Sequence, residues 1–378
     1  MQSGAGSSKP EKQETMFRFY IKGLIRDRSR SLLPVLVVAI GVTLCVLVQA
    51  WITGVLGDMI VFNARFATGH VKVMSRAYNE NRDQMPIDLS MVGTENLIID
   101  LRQEYPGLEW VERIRFGGLV DVPDENGETR EQGPGAGMAV DLVSENSREA
   151  ERLNLEKSLI RGSLPESSHE LLLSDQFASK LEVEPGDEIT LITSTMYGAM
   201  SIANFRVSGT VRFGAAALDR AGIVADISGI RQALDMTDAT SEILGYLTGG
   251  DYDNEQAMAI ATGFNEKYTG SDDEFSPVMV TLRDQSNMAG FLDLIDYFKF
   301  IIVTIFIVAM SIVLWNSGLL GGLRRYGEMG LRMAIGEEKG HIYRSLVTES
   351  VLIGLAGSAL GTLAGLIFAA LLSRGIDI

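Results

Sequence analysis

The chain has 378 residues, a formal net charge of −16 and a single cysteine, Cys45. One thiol cannot form an intramolecular disulfide, so any folded domain must be stabilised by its hydrophobic core. The acidic excess argues against a nucleic-acid-binding protein, because neutralising phosphates requires clustered cations.

Three stretches carry no charged side chain, at residues 32–57, 300–323 and 350–373. Each exceeds the roughly 20 residues that cross a hydrocarbon core of about 30 Å, which predicts three transmembrane helices. Buried helices of a soluble protein rarely remain free of charge over such lengths. The first stretch is also longer than the apolar part of a cleavable signal peptide and follows about thirty polar residues, which favours a retained anchor.

Basic residues beside these stretches predict the orientation. Seven Lys and Arg residues precede the first helix, and five lie between the second and the third. Such residues concentrate on the cytoplasmic side of a membrane. The sequence therefore predicts a bacterial inner (cell) membrane protein with a cytoplasmic N-terminus and with residues 58–290 outside the cytoplasm.

The predicted segments follow one another along the chain. Residues 1–15 are rich in Gly and Ser and predict a disordered tail. Residues 16–31 mix aromatic and basic side chains, as an amphipathic helix at the inner membrane surface does. The predicted membrane helices are 32–57, 291–322 and 346–373, and the segment 323–345 joins the last two.

The predicted extracytoplasmic domain, 58–290, carries the acidic excess. Residues 58–299 contain 20 Lys and Arg against 41 Asp and Glu. A cationic or neutral partner suits this surface, although acidic surfaces also serve solubility alone.

The pattern of apolar residues in this domain predicts alternating strands and helices, and hence a mixed α/β domain of two subdomains. The predicted strands are 70–74, 111–122, 138–143, 188–192, 205–211, 223–226 and 243–247. The predicted helices are 94–104, 145–155, 175–181, 228–234 and 254–267. The stretch 123–137, rich in Gly, Pro and charge, is predicted to be a hairpin tip or a mobile loop.

No motif predicts catalysis or a bound cofactor. The chain has neither a phosphate-binding G-x-x-x-x-G-K-[ST] loop nor a G-x-G-x-x-G after a strand. His70, His169 and His341 lie apart and without ligands at zinc spacing. Two acidic runs, Asp124 to Glu128 and Asp251 to Glu255, lack the glycine and the final acidic residue of a calcium loop. Ser174 and Asp175 have no histidine at the spacing of a catalytic triad.

The most informative segment is LRRYGEMGLRMAIG, residues 323–336. Its apolar residues recur at helical spacing, while Arg325, Glu328 and Arg332 line another face, with Glu328 four residues before Arg332. Gly336 is suited to a left-handed helix cap. The pattern predicts a short amphipathic helix, and a helix held against anionic lipid headgroups would have the same periodicity.

Two segments carry a family resemblance. The run from Arg324 to Gly336 resembles the signature R-R-x-x-E-[IM]-G-x-x-[RK]-A-[IL]-G of the FtsX/MacB/LolC superfamily of ABC transporter permeases. It departs from that signature where Arg332 and Met333 stand near the basic position. Residues Arg161 to Val211 are similar to the extracytoplasmic core of MacB- and LolC/LolE-type permeases.

The resemblance implies a non-catalytic permease subunit, with ATP and Mg²⁺ bound by a separate cytoplasmic ABC ATPase and no cofactor in this chain. In this family the segment between the second and third membrane helices is a coupling element docked on the ATPase. The implied interface residues are Arg324, Arg325, Glu328, Met329, Arg332 and Gly336. The resemblance also implies a second permease subunit, as a homodimer or a heterodimer.

The third predicted membrane helix has a stripe of small residues, Gly354, Gly357, Gly361 and Gly365. Such a stripe lets another helix approach closely, either within the subunit or across a permease dimer. Glu349 is too costly to face lipid and is expected to meet Arg344 or a neighbouring subunit. The family normally has a fourth membrane helix, which this sequence does not contain. A fragment of a longer protein is expected, and the alternative is that a partner supplies the last helix.

The function implied by the resemblance is mechanotransmission, in which ATP hydrolysis in the partner drives extraction or export of a lipoprotein, lipid or amphiphile. The length of the extracytoplasmic domain favours the MacB or LolC/LolE branch. The alternatives are a signal transducer resembling FtsX, which regulates a cell-wall hydrolase, and a membrane-anchored sensor without an ATPase.

Overall fold

The computed structural model describes residues 28–250, 252–268, 273–285 and 288–372, apart from the side chains of 28–31, 296, 317, 320, 321 and 324. The predicted tail, 1–15, and residues 16–27 of the predicted interfacial helix lie outside the described residues. The chain divides into two compact units, one of residues 1–58 with 291–378 and one of residues 59–290.

The helices are α1 (Arg28–Asn63), α2 (Arg76–Asn81), α3 (Thr94–Glu104), α4 (Glu149–Arg152), α5 (Leu155–Ser158), α6 (Asp175–Lys180), α7 (Ala216–Ala221), α8 (Ile227–Leu234), α9 (Asn254–Lys267), α10 (Met288–Arg324), α11 (Tyr326–Ala334) and α12 (Lys339–Leu372). A π-helical turn, Ala64–Thr68, follows α1 directly, and short 3₁₀ turns lie at Arg82–Gln84, Ile87–Leu89 and Leu282–Asp284.

The strands are β1 (Val71–Ser75), β2 (Met91–Val92), β3 (Leu108–Pro123), β4 (Thr129–Val140), β5 (Leu159–Gly162), β6 (Glu170–Ser174), β7 (Glu188–Ser194), β8 (Met200–Val211), β9 (Gly222–Asp226), β10 (Ala239–Thr240), β11 (Glu242–Leu247) and β12 (Pro277–Thr281).

Three of the described helices, α1, α10 and α12, are long and apolar enough to cross a membrane. They contain 36, 37 and 34 residues. At 1.5 Å per residue each is about 50 Å long or more, which exceeds a hydrocarbon core of about 30 Å. The helix α1 extends beyond its charge-free stretch at both ends, whereas α10 and α12 extend beyond theirs mainly on the N-terminal side.

The unit of residues 59–290 is organised around the long strand β3. From Ile114 onward, β3 pairs with β4 on one edge and with β7 on the other. The pairings β4–β9, β9–β6, β6–β8 and β8–β7 then close a ring of six strands. Before Ile114, β3 pairs with β11 and continues the open order β12-β1-β11-β3. The predicted pair of subdomains is thus one compact unit whose two halves share β3.

Each half has its own hydrophobic core. Phe116, Val120, Phe177, Leu191 and Ile223 are buried together in the ring half. The open half has a second cluster, formed by Val71, Leu101, Trp110, Ile243 and Phe264. Because both cores include residues of β3, the halves are joined by a continuous strand as well as by packing.

The stretch 123–137 is the predicted hairpin tip rather than a mobile loop, because β3 and β4 pair as a hairpin around it. The turn is confined to residues 124–128, and Thr129–Val140 is strand β4. The glycines of this stretch serve close packing. A Cβ on Gly135 would lie 2.7 Å from Ile223 Cδ1, and one on Gly137 would lie 2.0 Å from Phe116 Cζ. Core side chains cover the bare backbone, so Gly at alternate positions marks a buried strand face here.

The predicted helix at 145–155 is wrong as a single element. Residues 145–148 are not helical, and two one-turn helices, α4 and α5, follow. The break lies at Asn154, whose φ of 54° is left-handed and cannot continue a right-handed helix.

Candidate functional site

The predicted amphipathic helix after the second membrane helix is α11, and Gly336 ends it as predicted. Gly336 has a φ of 100°. Its N–H donates to Met333 O at 3.1 Å, and the N–H of Glu337 donates to Arg332 O at 3.1 Å. These two bonds satisfy carbonyls that the helix end would otherwise leave unpaired. The segment therefore has a defined end.

Every residue of α11 is at least partly exposed. Tyr326 and Ile335, at the two ends of this segment, are each 79% exposed, and Leu331 is 63% exposed. Glu328 accepts a bond from Arg332 at 3.3 Å, and both side chains remain accessible. The helix thus presents apolar and charged side chains together, as protein-docking helices do.

The start of α11 is held by an ion pair that the sequence did not predict. Arg325 donates from Nη1 and Nη2 to the two carboxylate oxygens of Glu349, at 2.6 and 2.8 Å. The expected partner of Glu349, Arg344, is therefore replaced by Arg325. This two-bond geometry fixes orientation as well as distance, so α11 is anchored to α12. Arg324 ends α10, and its side chain is outside what the structure describes.

The glycine stripe of α12 packs within the subunit. A Cβ on Gly357 would lie 2.7 Å from Val38 Cβ, one on Gly361 2.5 Å from Ala39 O, and one on Gly365 2.7 Å from Val46 Cβ. Thr43 Oγ1 donates to Gly361 O at 3.0 Å. α12 therefore lies directly on α1, and the stripe is used in this contact rather than being left for a dimer. Gly354 is different, with nothing within 4 Å of an added Cβ.

A second candidate element lies where α1 enters the unit of residues 59–290. The carbonyls at a helix end carry partial negative charge and need donors. Here Ala64 O accepts from Tyr246 Oη at 3.0 Å, Arg65 O accepts from Arg113 Nη1, and Phe66 O accepts from Arg115 Nη2. Side chains of β3 and β11 thus bind the end of the helix directly. We call this π-helical turn and its donors the helix junction.

Buried carboxylates hold the arginines of the helix junction in place. Arg113, which is fully buried, pairs with Glu149 at 2.9 Å. Glu242 pairs with Lys72 at 2.9 Å and with Arg115 at 3.7 Å. Breaking such a buried pair leaves an uncompensated charge and costs about 3–5 kcal/mol. The junction is therefore a firmly held part of the unit of residues 59–290.

Gln285 links this junction to the other membrane connection. Its Nε2 donates to Thr281 O, at the end of β12, at 3.0 Å and to Thr68 O, in the π-helical turn, at 3.5 Å. Its backbone carbonyl accepts from the N–H of Met288, the first residue of α10, at 2.9 Å. One buried side chain thus contacts both segments that lead into the apolar helices.

The sequence reasoning missed the helix junction. Its signal was the presence of charged residues inside strands, namely Lys72 in HVKVM and Arg113 and Arg115 in ERIR. A charged residue at a buried strand position requires a partner. The partners come from distant parts of the chain, so the sequence alone did not identify them.

Burial lowers the pKa of Lys72 to about 8, although attraction to Glu242 partly opposes this effect. In the unfolded chain the ordinary pKa is 10.5, so between these values the unfolded state binds a proton that the folded state lacks. The free energy of unfolding therefore rises with pH across this window, by at most about 3 kcal/mol. We expect Lys72→Met to reduce the rise in thermal midpoint between pH 7 and pH 9.5. Equal rises in both proteins would contradict this assignment.

Three residues that the sequence analysis considered for catalysis or metal binding make structural hydrogen bonds instead. Ser174 Oγ accepts from the N–H of Phe177 at 3.2 Å and donates to Asp219 O at 2.8 Å, so it caps α6. His70 is buried, and its Nδ1 accepts from the N–H of Leu247 at 3.0 Å. Asp124 closes the β3–β4 turn through the N–H groups of Asn126 and Glu128.

Comparison with known proteins identifies both parts of the chain. The family model of the MacB-like periplasmic core domain matches residues 31–295, and that of the FtsX-like permease C-terminal domain matches residues 300–378. The crystal structure of the periplasmic region of MacB from Actinobacillus actinomycetemcomitans is similar, with a TM-score of 0.37 and 12% identity, over 60% of this chain and 95% of that chain. No curated protein matches the chain significantly.

The predicted family is confirmed, since the first family model alone covers more than half of the chain. Permease domains of this kind are membrane components of ABC systems and are typically non-catalytic. The chain belongs to the FtsX/MacB-like family of ABC-type permeases, with three apolar helices and an extracytoplasmic α/β domain.

Proposed function

We propose that this chain is the permease subunit of an ABC system of the MacB or LolC/LolE type. It couples ATP hydrolysis in a separate ATPase subunit, which holds ATP and Mg²⁺, to movement of the extracytoplasmic unit. The observation that carries this proposal is α11, a short exposed helix with a defined cap, anchored to α12 by Arg325 and Glu349. A helix that is fixed to its neighbour transmits a displacement to it, whereas a loosely held helix would move by itself.

The orientation follows from the distribution of cations. Basic residues precede α1 and lie between α10 and α12, which places the N-terminus and α11 in the cytoplasm. α11 is therefore on the side where ATP is available. The unit of residues 59–290 lies on the other side of the bacterial inner membrane.

The ATPase interface is formed by Arg324, Glu328, Met329 and Arg332, with Gly336 ending the helix. Arg325 acts as a positioning residue, because its Nη1 and Nη2 both donate to the carboxylate of Glu349. Exposed Tyr326, Leu331 and Ile335 supply apolar contact area beside the charged residues. An apolar centre with a charged rim is typical of specific protein interfaces.

Force then reaches the extracytoplasmic unit through continuous elements. α1 passes into the π-helical turn, whose carbonyls are bound by Arg113, Arg115 and Tyr246. Gln285 joins the same turn to the start of α10. A movement of α1 is thereby transferred to β3, the strand shared by both halves of the unit. The work done is extraction or export of a lipoprotein, lipid or amphiphile. A second permease subunit completes the transporter in the surrounding lipid.

Glu328→Lys tests the coupling role. We expect it to abolish stimulation of the ATPase by the permease while the protein still inserts into the membrane, because a cation replaces an interface carboxylate. The measurement is ATPase activity of the reconstituted complex and the amount of inserted protein.

The charge-swapped variant Glu328→Lys/Arg332→Glu is the matched control, since it restores the pair within α11 with reversed sign. Continued loss of stimulation in this variant supports an interface role. Full recovery would mean that the pair only stabilises the helix, which contradicts the coupling role.

The cargo is tested by mass spectrometry of the purified complex. A soluble hydrolase bound without lipid or lipoprotein would overturn the transport function.

A further inference from the structure

A cleft of about 690 Å³ lies in the unit of residues 59–290, where β3 passes from the ring half to the open half. Its walls are α3, α8 and the loop 141–149, and its base is the first part of β3, residues 108–112. Binding sites for small ligands and peptides have volumes of roughly 300–1,000 Å³. The cleft is therefore large enough for an extended segment of several residues.

The base of the cleft is an open strand edge. Trp110 lies opposite Gly245 of β11, and Gly245 O accepts from the N–H of His70 on its other side. The pair is thus a non-hydrogen-bonded one, so the N–H and C=O of Trp110 are directed away from β11. Glu112, two residues further along β3, has the same orientation. Among the described strands, residues 108–112 pair with β11 alone.

The chain's own strand β4 is diverted from this edge. It pairs with β3 as far as Ile114 and Ala139 and ends at Val140. The next N–H groups, of Leu142 and Val143, donate to Asp226 Oδ2 at 3.0 and 3.3 Å. Asp226 also caps α8 through Ser228. This carboxylate therefore draws the chain towards α8 and leaves room beside β3.

Polar groups at the edge have unused bonding capacity. The indole N–H of Trp110, a residue that is 2% exposed and lines the cleft, finds no acceptor among the residues that the structure describes. Trp110 O accepts a long hydrogen bond of 3.4 Å from Arg102 Nη2. An unpaired buried donor costs about 1–3 kcal/mol, and a ligand carbonyl would remove this cost.

The walls are fixed in place around the opening. Glu112 Oε1 accepts from Thr94, at the start of α3, at 3.0 Å and from Arg231 of α8 at 2.7 Å. One side chain thus ties both walls to β3. The remaining lining carries both signs of charge, with Arg102 and Arg148 against Glu109 and Asp141.

We propose that this cleft binds an extended polypeptide segment, which adds as a strand to the edge of β3 at Trp110 and Glu112. A peptide backbone supplies donors and acceptors at the spacing that an open edge requires. A lipid chain does not suit the charged lining, and an anion would meet Glu109, Glu112 and Asp141. Strand addition to the extracytoplasmic unit is independent of ATPase coupling at α11.

The test uses the full-length chain in lipid nanodiscs, with Trp51→Phe and Trp315→Phe. The chain has three tryptophans, so Trp110 is then the only tryptophan and its emission reports on the cleft. The probe is a degenerate mixture of acetylated, amidated heptapeptides. We expect a saturable change in Trp110 emission, and no change with the same mixture methylated at every peptide nitrogen, because methylation removes the donors needed for strand pairing.

Two neighbouring substitutions provide a matched pair. Ser144 lines the cleft and Glu145 does not, and both are exposed in the same loop. Ser144→Phe should weaken peptide binding at least about tenfold, whereas Glu145→Phe should leave it within about twofold. The absence of a saturable response, an unchanged affinity in Ser144→Phe, or an equal response to methylated peptides would each overturn the proposal. The comparison with methylated peptides tests the proposal even if Ser144→Phe disturbs folding, because it does not use that variant.

Discussion

Arg113→Met is expected to unfold the extracytoplasmic unit at a markedly lower temperature, with a loss of about 3–5 kcal/mol in the free energy of unfolding. Arg113 is fully buried, pairs with Glu149 at 2.9 Å and donates to Arg65 O at the end of the membrane helix. Methionine fills a similar volume, but it removes the Arg113 partner of the Glu149 carboxylate, which keeps its pair with Arg152. It also removes the bond that Arg113 donates to Arg65 O. The measurement is the thermal midpoint of the full-length protein in detergent.

Lys267→Ala is the control for this experiment, because Lys267 and Glu104 form an exposed pair. Exposed pairs contribute about 0–1 kcal/mol, so its midpoint should stay near that of the unmodified protein. Arg113→Met/Glu149→Leu should recover part of the loss, since it also removes the buried carboxylate. If the thermal midpoint of Arg113→Met matched that of Lys267→Ala, the buried ion pair at the helix junction would not stabilise the unit of residues 59–290.

Gly361→Val is expected to separate α12 from α1. A Cβ at this position would lie 2.5 Å from Ala39 O and 2.8 Å from Val42 Cβ, and the carbonyl of Gly361 accepts the bond from Thr43. Overpacking of this kind costs about 1–3 kcal/mol where side chains can move, and backbone atoms cannot move aside as side chains do. We expect less folded permease and a lower thermal midpoint in detergent.

Gly354→Val is the control that distinguishes a loss of stability caused by packing from one caused by helix propensity. Both substitutions place the same β-branched residue in the same helix, so their intrinsic cost is similar. Only Gly361 has neighbours within 4 Å of the new Cβ. A similar loss in both variants would indicate a propensity effect and would contradict the close contact between α1 and α12.

Part of the candidate site was predictable from sequence. The amphipathic spacing in residues 323–336 indicated α11, and Gly336 indicated its end, because both depend on neighbours within a few residues. The ion pair of Arg325 with Glu349 was not predictable, because these residues are 24 positions apart and Arg344 was a nearer candidate. The sequence also left undecided whether the glycine stripe packs within the subunit or across a dimer. The structure shows it packed against α1.

The elements of the fold that the sequence did not predict have the same cause, which is contact between residues far apart in the chain. The stretch 129–137 has a loop-like composition, and local propensity alone favours a turn there. Its conformation is determined by Phe116, Phe177 and Ile223, which pack on its glycines from elsewhere in the chain. Conversely, helices α3 and α9 begin and end at the residues that their apolar pattern predicted, 94–104 and 254–267.

The sequence by itself determined the three apolar helices, the acidic α/β domain between the first two, and the family, because charge-free length, charge distribution and short motifs are local properties. Only the tertiary structure decided that β3 joins two halves, that an open edge of β3 lines a cleft, and that Arg113 and Arg115 bind carbonyls of the π-helical turn after α1. These features depend on contacts between residues far apart in the chain. A buried arginine is stable only where folding places partners such as a carboxylate or a helix-end carbonyl beside it. Local sequence patterns do not show which distant residues become these partners.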